Sequence, residues 1–577
     1  MSDQLLRRRA ARRGPLDREL PESGNCFYWR SEVRKPITLC VLTLAIFASA
    51  AVAQDAVEKA KKAMASGNFE QAMLLLEEDY DHVVKTPAAL ELLCEAAVKA
   101  GKYDRAITYS VKLTDLDATR PGGFKSGALA FYYRAEEAKS STNPSPGRIM
   151  GFYEESRSMS TTYLKLKSDD VEMWSLLGQT HYWLEDHTKS VVAFEKCSQL
   201  DPKNVDHLLK LARAHRLGGD AKAAAKTLDR SIAIDPTDAN LYKAKGDAIG
   251  AAGDPVSAAA VYAKALTAKK LDNATAGQCA TNIWNILGGK NEWDKALEYY
   301  EAWSKASPRN GWPVWYVGWC HVKKSDDATG IKKFKKAWEL AGNNYPDAAT
   351  AAAQCHWRLA IPGNDASKID MKHFEHAVRW YCKAHQVKPT GYGARDNEPM
   401  SKVMVIFIYL ANNGHLKDGA GLLEGIALKA DSKDWRVLNN LGLYYRDTGG
   451  SRRGSAGKRL CKKSADYYVR ASEGVVKSPT ATPKERAAVL NDTGVLFHFP
   501  QYQIKDLQKG IGYYMKALSH DENCIDANEN MGLCMNELGK YEEAIPYFKR
   551  VLAQPDQSGR RVSRGGLRRA ERNIKDN

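Results

Sequence analysis

Three tryptophans, Trp312, Trp315 and Trp319, follow one another at intervals of three and four residues, which lays three indole rings along one face of a helix. Indoles grouped this way stack on an aromatic side chain or on the apolar face of a sugar. Nine of the chain's thirteen tryptophans fall between Trp284 and Trp380, so the grouping belongs to one region. Ala349 and Ala353, on the next comparable helix, would give such an apolar slot a small-residue floor, with His356 and Trp357 just beyond them. The competing expectation is that aromatic stripes at helical spacing pack inside a core.

A second row is polar: Asn439 and Asn440, Asn491 and Asp492, and Asn528 and Asn530 recur near the same place of the first helix in each of the last three helix pairs. Lys243, Arg213 and Arg436 are cations that could meet a carboxylate. His373 and His376 share a helical face, and Cys355, His356, Cys382 and His385 are near in sequence. His385 is nine residues from His376 and half a turn out of phase, so no ligand spacing emerges. Neither a metal nor another cofactor is expected. Catalytic signatures are missing too: there is no H-E-x-x-H, G-Y-G-A-R-D lacks the third glycine of a dinucleotide loop, and S-A-G-K-R at 455–459 lacks the remainder of a phosphate loop. No segment outside the repeated pattern could hold a catalytic domain, so an enzyme is not expected.

The elements that carry these residues repeat. From Val171 to Asp272 a 34-residue unit occurs three times without a gap. In the first copy Trp174, Leu177, Gly178 and His181 fall at helical spacing, and Ser190, Phe194, Cys197 and Leu200 repeat the pattern on a second helix. Gly178 and Ser190 are small because two helices joined by a short turn approach closely only where a side chain is nearly absent. Pro202 then stops the second helix. Leu208, Ala212, Gly219, Ala224, Leu228 and Pro236 hold the same places in the second copy, as do Tyr242, Gly246, Gly253, Ala258 and Tyr262 in the third. A last copy carries Asn528, Met531, Gly532, Gly539, Tyr541, Ala544, Phe548 and Val551.

This pattern resembles the tetratricopeptide repeat (TPR) family. The resemblance implies an all-α, right-handed superhelical solenoid of antiparallel helix pairs, with about thirteen units between Gln54 and Pro555. Some units carry insertions, at 139–147, 361–368 and 449–457. The stretch 391–399, GYGARDNEP, is expected to act as a hinge between an N-terminal array, 54–390, and a C-terminal array, 400–555. In this family the first helix of each unit lines a concave groove, and Trp312, Trp315 and Trp319 match groove-facing places. Asn440 and Asn530 match the place whose Asn holds the backbone of an extended peptide. The family's complete carboxylate clamp is not present.

Residues 1–53 stand outside the pattern. Ile37 to Ala48 form an apolar run, preceded by Arg34 and Lys35 and followed by the small-x-small sequence Ala51-Val52-Ala53. Twelve residues are too few for a stable bilayer helix, which needs about 20. The run reads as a signal peptide, 33–53, cut after Ala53, the alternatives being an uncleaved anchor or a chance apolar run. Residues 1–32 read as an untranslated or disordered extension, with translation starting near Val33. The mature chain would then be exported, periplasmic or extracellular in a bacterial-type cell, with no transmembrane helix.

The net charge of +16 is distributed against a nucleic-acid groove. Residues 1–53 hold 9 basic and 5 acidic side chains and residues 556–577 hold 7 and 3, leaving 69 against 61 for the array. No specific nucleic acid is expected. The 556–577 tail reads as basic and disordered, able to touch an anionic surface. Nine cysteines follow Ala53, an odd number; in an oxidising compartment Cys524 with Cys534, or Cys355 with Cys382, are candidate pairs, and structural thiols are the default.

Together these features point to a protein-interaction scaffold of the cell envelope that binds an extended polypeptide in a concave groove. Trp312, Trp315, Trp319 and Trp357 are the expected anchors, with His356 beside them and Asn440 and Asn530 as backbone holders. The alternatives are a carbohydrate-binding protein of envelope polysaccharide assembly or export, and a subunit of an envelope complex with no groove in use.

Overall fold

Aspartates and asparagines cap the helices with the period of the repeat. Asp170, Asn204, Asp238 and Asp272, each 34 residues from the next, accept a first-turn backbone N–H of the helices Val171–Trp183, Val205–Leu217, Ala239–Ala251 and Asn273–Gly289. Asp186, Asp220 and Asp254, again 34 apart, do the same for the second helices His187–Leu200, Ala221–Ile234 and Pro255–Leu266. Each such cap satisfies one of a helix's orphan donors and contributes about 1 kcal/mol. The first helix of a copy ends in a reversal with positive φ, 87° at Gly219 and 90° at Gly253, where a side chain would be strained.

This computed structural model describes residues 55–555 and 560–576, so the expected extension and signal peptide lie outside the described residues. Within them α-helices pack in consecutive pairs along the chain. No strand occurs among the described residues, and the one extended pairing is an isolated parallel bridge between Asp238 and Lys270. No described helix is long and apolar enough to cross a membrane.

Small residues set the distance between paired helices. A Cβ added to Gly178 would lie 2.8 Å from the Phe194 ring, one on Gly318 2.6 Å from Phe334, and one on Gly532 2.7 Å from Phe548. Each ring therefore rests directly on the opposing backbone, and no larger residue fits without moving a helix.

The described residues form two compact units, one ending at Pro202 and one beginning at Lys203. In the first, one core gathers Met73, Leu76, Leu90, Leu93 and Leu113, and another gathers Tyr153, Tyr163, Met173 and Leu177. In the second, the largest core runs from Val314 through Phe334, Phe374, Phe407 and Tyr467 to Val489.

The core is continuous on both sides of 391–399, the segment expected as a hinge. Apolar side chains on both sides, Tyr381 and Met400 among them, belong to the same cluster. The segment is also tied down: Arg395 pairs with Glu485, and buried Glu398 accepts from Arg436 Nη1 at 3.0 Å.

The expectation of a disordered C-terminal tail is corrected. Arg561–Asp576 is a helix, and Ser563, Gly566 and Ala570, spaced three and four apart, are its buried stripe. Gly566 presses on the Phe548 ring, Asn536 Nδ2 donates to Gly566 O at 2.9 Å, and Ser563 Oγ donates to Glu529. The run of arginines conceals this stripe in the sequence, because the burying residues are small and not apolar by composition. The helix covers the apolar end of the last repeat, as terminal repeats require. All nine described cysteines are free, and eight are buried, so neither candidate pair is joined.

Candidate functional site

The tryptophan helix is Gly311–Lys323, started by Asn310, which accepts from Trp312 N–H at 2.9 Å. Its neighbour is the preceding first helix, Asn273–Gly289. Between them Thr281, Trp284, Trp315, Tyr316, Trp319 and Lys323 line a cavity of about 320 Å³. Trp284, Trp315 and Trp319 are half-buried, so each keeps ring surface toward the opening.

Their inner edges are braced. Trp315 and Trp319 meet edge to face with centroids 6.1 Å apart, Trp319 leans on Phe334 at 5.3 Å, and Trp284 is tilted against Trp293 at 4.8 Å. Trp315 Nε1 donates to Asp347 O at 3.4 Å, whereas Trp319 Nε1 is buried and finds no acceptor among the described residues. Exposed Lys323 holds its Nζ 5.8 Å from the Trp293 ring at the rim. Burial raises the Tyr316 hydroxyl above its ordinary pKa, opposed by Thr281, so it stays neutral.

The structure separates residues that the sequence groups. Trp312 is outside the slot: its ring lies over Gly277 and tilts against buried Trp303 at 6.3 Å, packing between repeats. Ala349 and Ala353 are fully buried and line no part of the slot, whose second wall is the preceding helix and not the following one. Trp284, Thr281, Tyr316 and Lys323 are the lining residues that sequence reasoning missed; Trp284 was signalled only as one end of the tryptophan-rich region. Trp357, on Pro346–Ala360, lines a second cavity of about 330 Å³ with Gln354, Arg358, Tyr381, Lys402 and Val405.

His356 turns away from its neighbour Trp357. Its Nδ1 lies 2.9 Å from His373 Nδ1, and its ring stacks on His376 with centroids 5.0 Å apart. Burial, with His376 and His373 beside it, pushes the His356 imidazole down to about 4.

Asn440, Asn528 and Asn530 of the asparagine row each donate within the fold. Asn440 Nδ2 donates to Arg436 O at 2.8 Å and Asn530 Nδ2 to Asn491 Oδ1 at 3.0 Å. Asn528, fully buried, donates to Glu522 O and Cys524 O and accepts from Arg550. Burial raises the Asp492 carboxyl, with Arg446 opposing. Arg436 is held by Asp434 and Glu398, and Lys243 by Asp247 at 2.8 Å. Arg213 lines a cavity of about 360 Å³ together with Asp206, Lys210, Arg216 and Asp247.

Asp434, with His385 and Asp431, also forms a cluster whose ligand atoms lie within 4.8 Å of one another. Asp434 is already paired with buried Arg436 and caps the helix Trp435–Gly450.

Paired helices, caps at a fixed period and glycines seated under rings define an all-α helical-repeat protein. Residues 184–248 and 526–556 match family models described as Tetratricopeptide repeat. The chain carries tetratricopeptide repeats in both stretches. Three solved structures similar to it are YrrB, a TPR protein with an unusual peptide-binding site, the thermophilic TPR protein TTC0263 of Thermus thermophilus, and Naa15/Naa10 bound to HypK-THB. YrrB is 13% identical at a TM-score of 0.30, over 36% of this chain and 97% of its own. TTC0263 is 17% identical at 0.26, over 34% and 98%. The Naa15/Naa10 match is 12% identical at 0.34, over 91% and 96%. Likenesses of this size carry no argument about what this chain binds. A search of the curated proteins returns no match.

Proposed function

We propose that the chain is a non-catalytic interaction scaffold that binds an extended polypeptide, seating one apolar or aromatic side chain of its ligand between Trp284, Trp315 and Trp319. The supporting observation is the slot itself: three half-buried indoles, braced on their inner edges, line about 320 Å³ that no side chain among the described residues fills. Filling it removes ring surface from water on both partners, and one buried aromatic or aliphatic side chain contributes about 1.5–3 kcal/mol. Useful affinity therefore needs further contacts along the array, and the Trp357 cavity is the next candidate anchor. Lys323 at the rim favours a ligand with a carboxylate beside its anchor.

Asn440 and Asn530 have less support as backbone holders, since each already donates an amide N–H within the fold. A sugar ligand finds less support, because only Thr281 and Lys323 contribute polar side-chain termini free of ring burial, too few to hold the hydroxyls around a pyranose.

Selection from a random peptide library on the immobilised chain tests the reading. Enrichment of peptides with an aromatic or large aliphatic anchor, abolished by Trp315→Ala with Trp319→Ala, is expected. Enrichment that survives the double variant rejects the slot, and competition by soluble oligosaccharide favours the sugar reading. An exported, envelope location remains part of the proposal, supported by the apolar run before Ala53. Terminal sequencing of the mature chain should begin at Gln54; any other start argues against cleavage there.

A further inference from the structure

The array carries 69 basic against 61 acidic side chains, and most of that surplus lies in one place. Residues 452–463 hold Arg452, Arg453, Lys458, Arg459, Lys462 and Lys463 and no acidic residue. They belong to an enlarged helix pair. In other copies the glycine that seats a ring precedes it by 16 residues, as Gly178 does Phe194 and Gly318 does Phe334, whereas Gly442 seats Tyr468, 26 residues on. The extra residues lengthen both helices at the turn between them, Trp435–Gly450 and Gly454–Lys477, and the cations sit at that turn and just beyond it.

The turn is pinned. Gln503 Nε2 donates to Arg452 O at 2.6 Å, and Gly457 is seated so tightly that an added Cβ would collide with the same oxygen. Arg452, Arg453, Lys458, Arg459 and Lys462 are exposed and make no ion pair among the described residues, while Lys463 pairs with Glu424. Neighbouring acids are already engaged: Asp447 by Arg446, Asp466 by Arg470 and Glu537 by Lys505. Five unpaired like charges held on so short a stretch repel one another and attract an anion.

Lys462 also lines a cavity of about 370 Å³ with an apolar floor of Ala465, Val469, Phe497 and Ile504. Exposed Lys509 stands at its edge, with Nζ 4.4 Å from the centroid of the Phe497 ring. Lys462 and Lys509 come from Gly454–Lys477 and Leu507–His520, the second helices of their pairs, whereas the tryptophan slot is walled by first helices. The two sites are therefore separate.

A run of cations that continues into an apolar cavity selects among anionic partners. A bilayer surface or a nucleic-acid duplex meets the charges and leaves the cavity empty, whereas a polypeptide with an apolar residue beside its acids occupies both. We propose that the 452–463 turn and this cavity form a second docking surface, for an acidic polypeptide segment that carries one aliphatic or aromatic residue next to its acidic run.

The experiment uses the full chain and a labelled peptide of five glutamates followed by a leucine, read by fluorescence anisotropy at about 50 mM salt. Saturable binding below about 1 mM is expected. Serine in place of the leucine should weaken it about 10-fold, and Ala465→Trp, which fills the cavity, should remove that difference. Arg452→Gln, Arg453→Gln, Lys458→Gln and Arg459→Gln together, all at exposed positions, should weaken the leucine peptide at least about 10-fold with the circular dichroism spectrum unchanged. Arg568→Gln with Arg572→Gln on the last helix, or Trp315→Ala with Trp319→Ala in the slot, should leave it unchanged. Absence of saturable binding overturns the proposal, as does equal affinity of the parent chain for the leucine and serine peptides. So does loss of binding in either control pair with the four-fold turn variant unaffected. Anionic vesicles or RNA that bind through the same four cations more tightly than the peptide also overturn it.

Discussion

Two regions of the second unit carry the polar and aromatic side chains that the repeat leaves optional, and they have used them in opposite ways. In the tryptophan region, Trp284, Trp315 and Trp319 are braced on one edge and leave ring surface facing an open cavity. In the asparagine region, Asn440, Asn528 and Asn530 spend their amide donors on backbone carbonyls and on Asn491. Amides satisfied inside a stack act as joints between repeats, whereas partly covered rings are unfinished contacts. A side chain at a groove-type position is therefore a ligand contact only when the protein has left part of it unused.

The two regions share one frame, and breaking it has the largest expected effect. Gly318 faces Phe334 in the first as Gly494 faces Tyr514 in the second, with added Cβ atoms at 2.6 and 2.5 Å. Gly318→Val should cost about 3 kcal/mol by forcing the helix pair apart, read as a lower urea midpoint; an unchanged midpoint would mean that the pair is not held by this contact.

Acid distinguishes the regions next. His356 is pushed down to about 4 by burial, and burial also lowers His498, where Glu537 opposes the shift. An unfolded imidazole titrates near 6.5, so between pH 6.5 and about 4 the unfolded state binds more protons. Stability is full above that window and falls as the pH drops through it, by on the order of 3 kcal/mol for His356. Denaturant melts should show His356→Gln flattening the acid slope more than His498→Gln.

Third, truncating the open rings should spare stability and harm binding. Trp315→Ala or Trp319→Ala is expected to weaken a selected peptide about 30-fold, near 2 kcal/mol, with little change in melting temperature. Trp312→Ala should do the reverse, because that ring packs on Gly277 and Trp303. Equal effects of all three on peptide affinity would erase the distinction drawn between them.

Asn528→Ala should show the mirror image, costing about 1.5 kcal/mol of stability through the unmet Glu522 carbonyl and a displaced Arg550, with peptide affinity retained. The smallest effect belongs to Lys323→Glu at the rim, under about 1 kcal/mol and confined to acidic peptides at low salt. A salt-independent loss would place Lys323 inside the contact instead.

Much of the frame was legible before any coordinates. The 34-residue period, the small Gly178 that meets Phe194, and the recurring glycines Gly219 and Gly253 at the turns follow from local rules, and the structure has them there. The slot was legible only in part: helical spacing puts Trp312, Trp315 and Trp319 on one face, whereas in the structure Trp312 packs between repeats and Trp284 completes the lining. Helical spacing tells which residues share a face and says nothing of which neighbouring helix that face meets.

The chain's own order of residues thus determined its helices, their caps and the small residues at which they touch, because each depends on side chains a few positions apart. Tertiary packing decided the rest: that the slot is walled by the preceding helix, that His356 meets His373 and His376, that the asparagine amides are consumed, and that Ser563, Gly566 and Ala570 seat the last helix on Phe548. Those outcomes join residues from separate helices. Which of their atoms meet is set by how closely small residues let the backbones approach, and no periodicity along a single helix contains that distance.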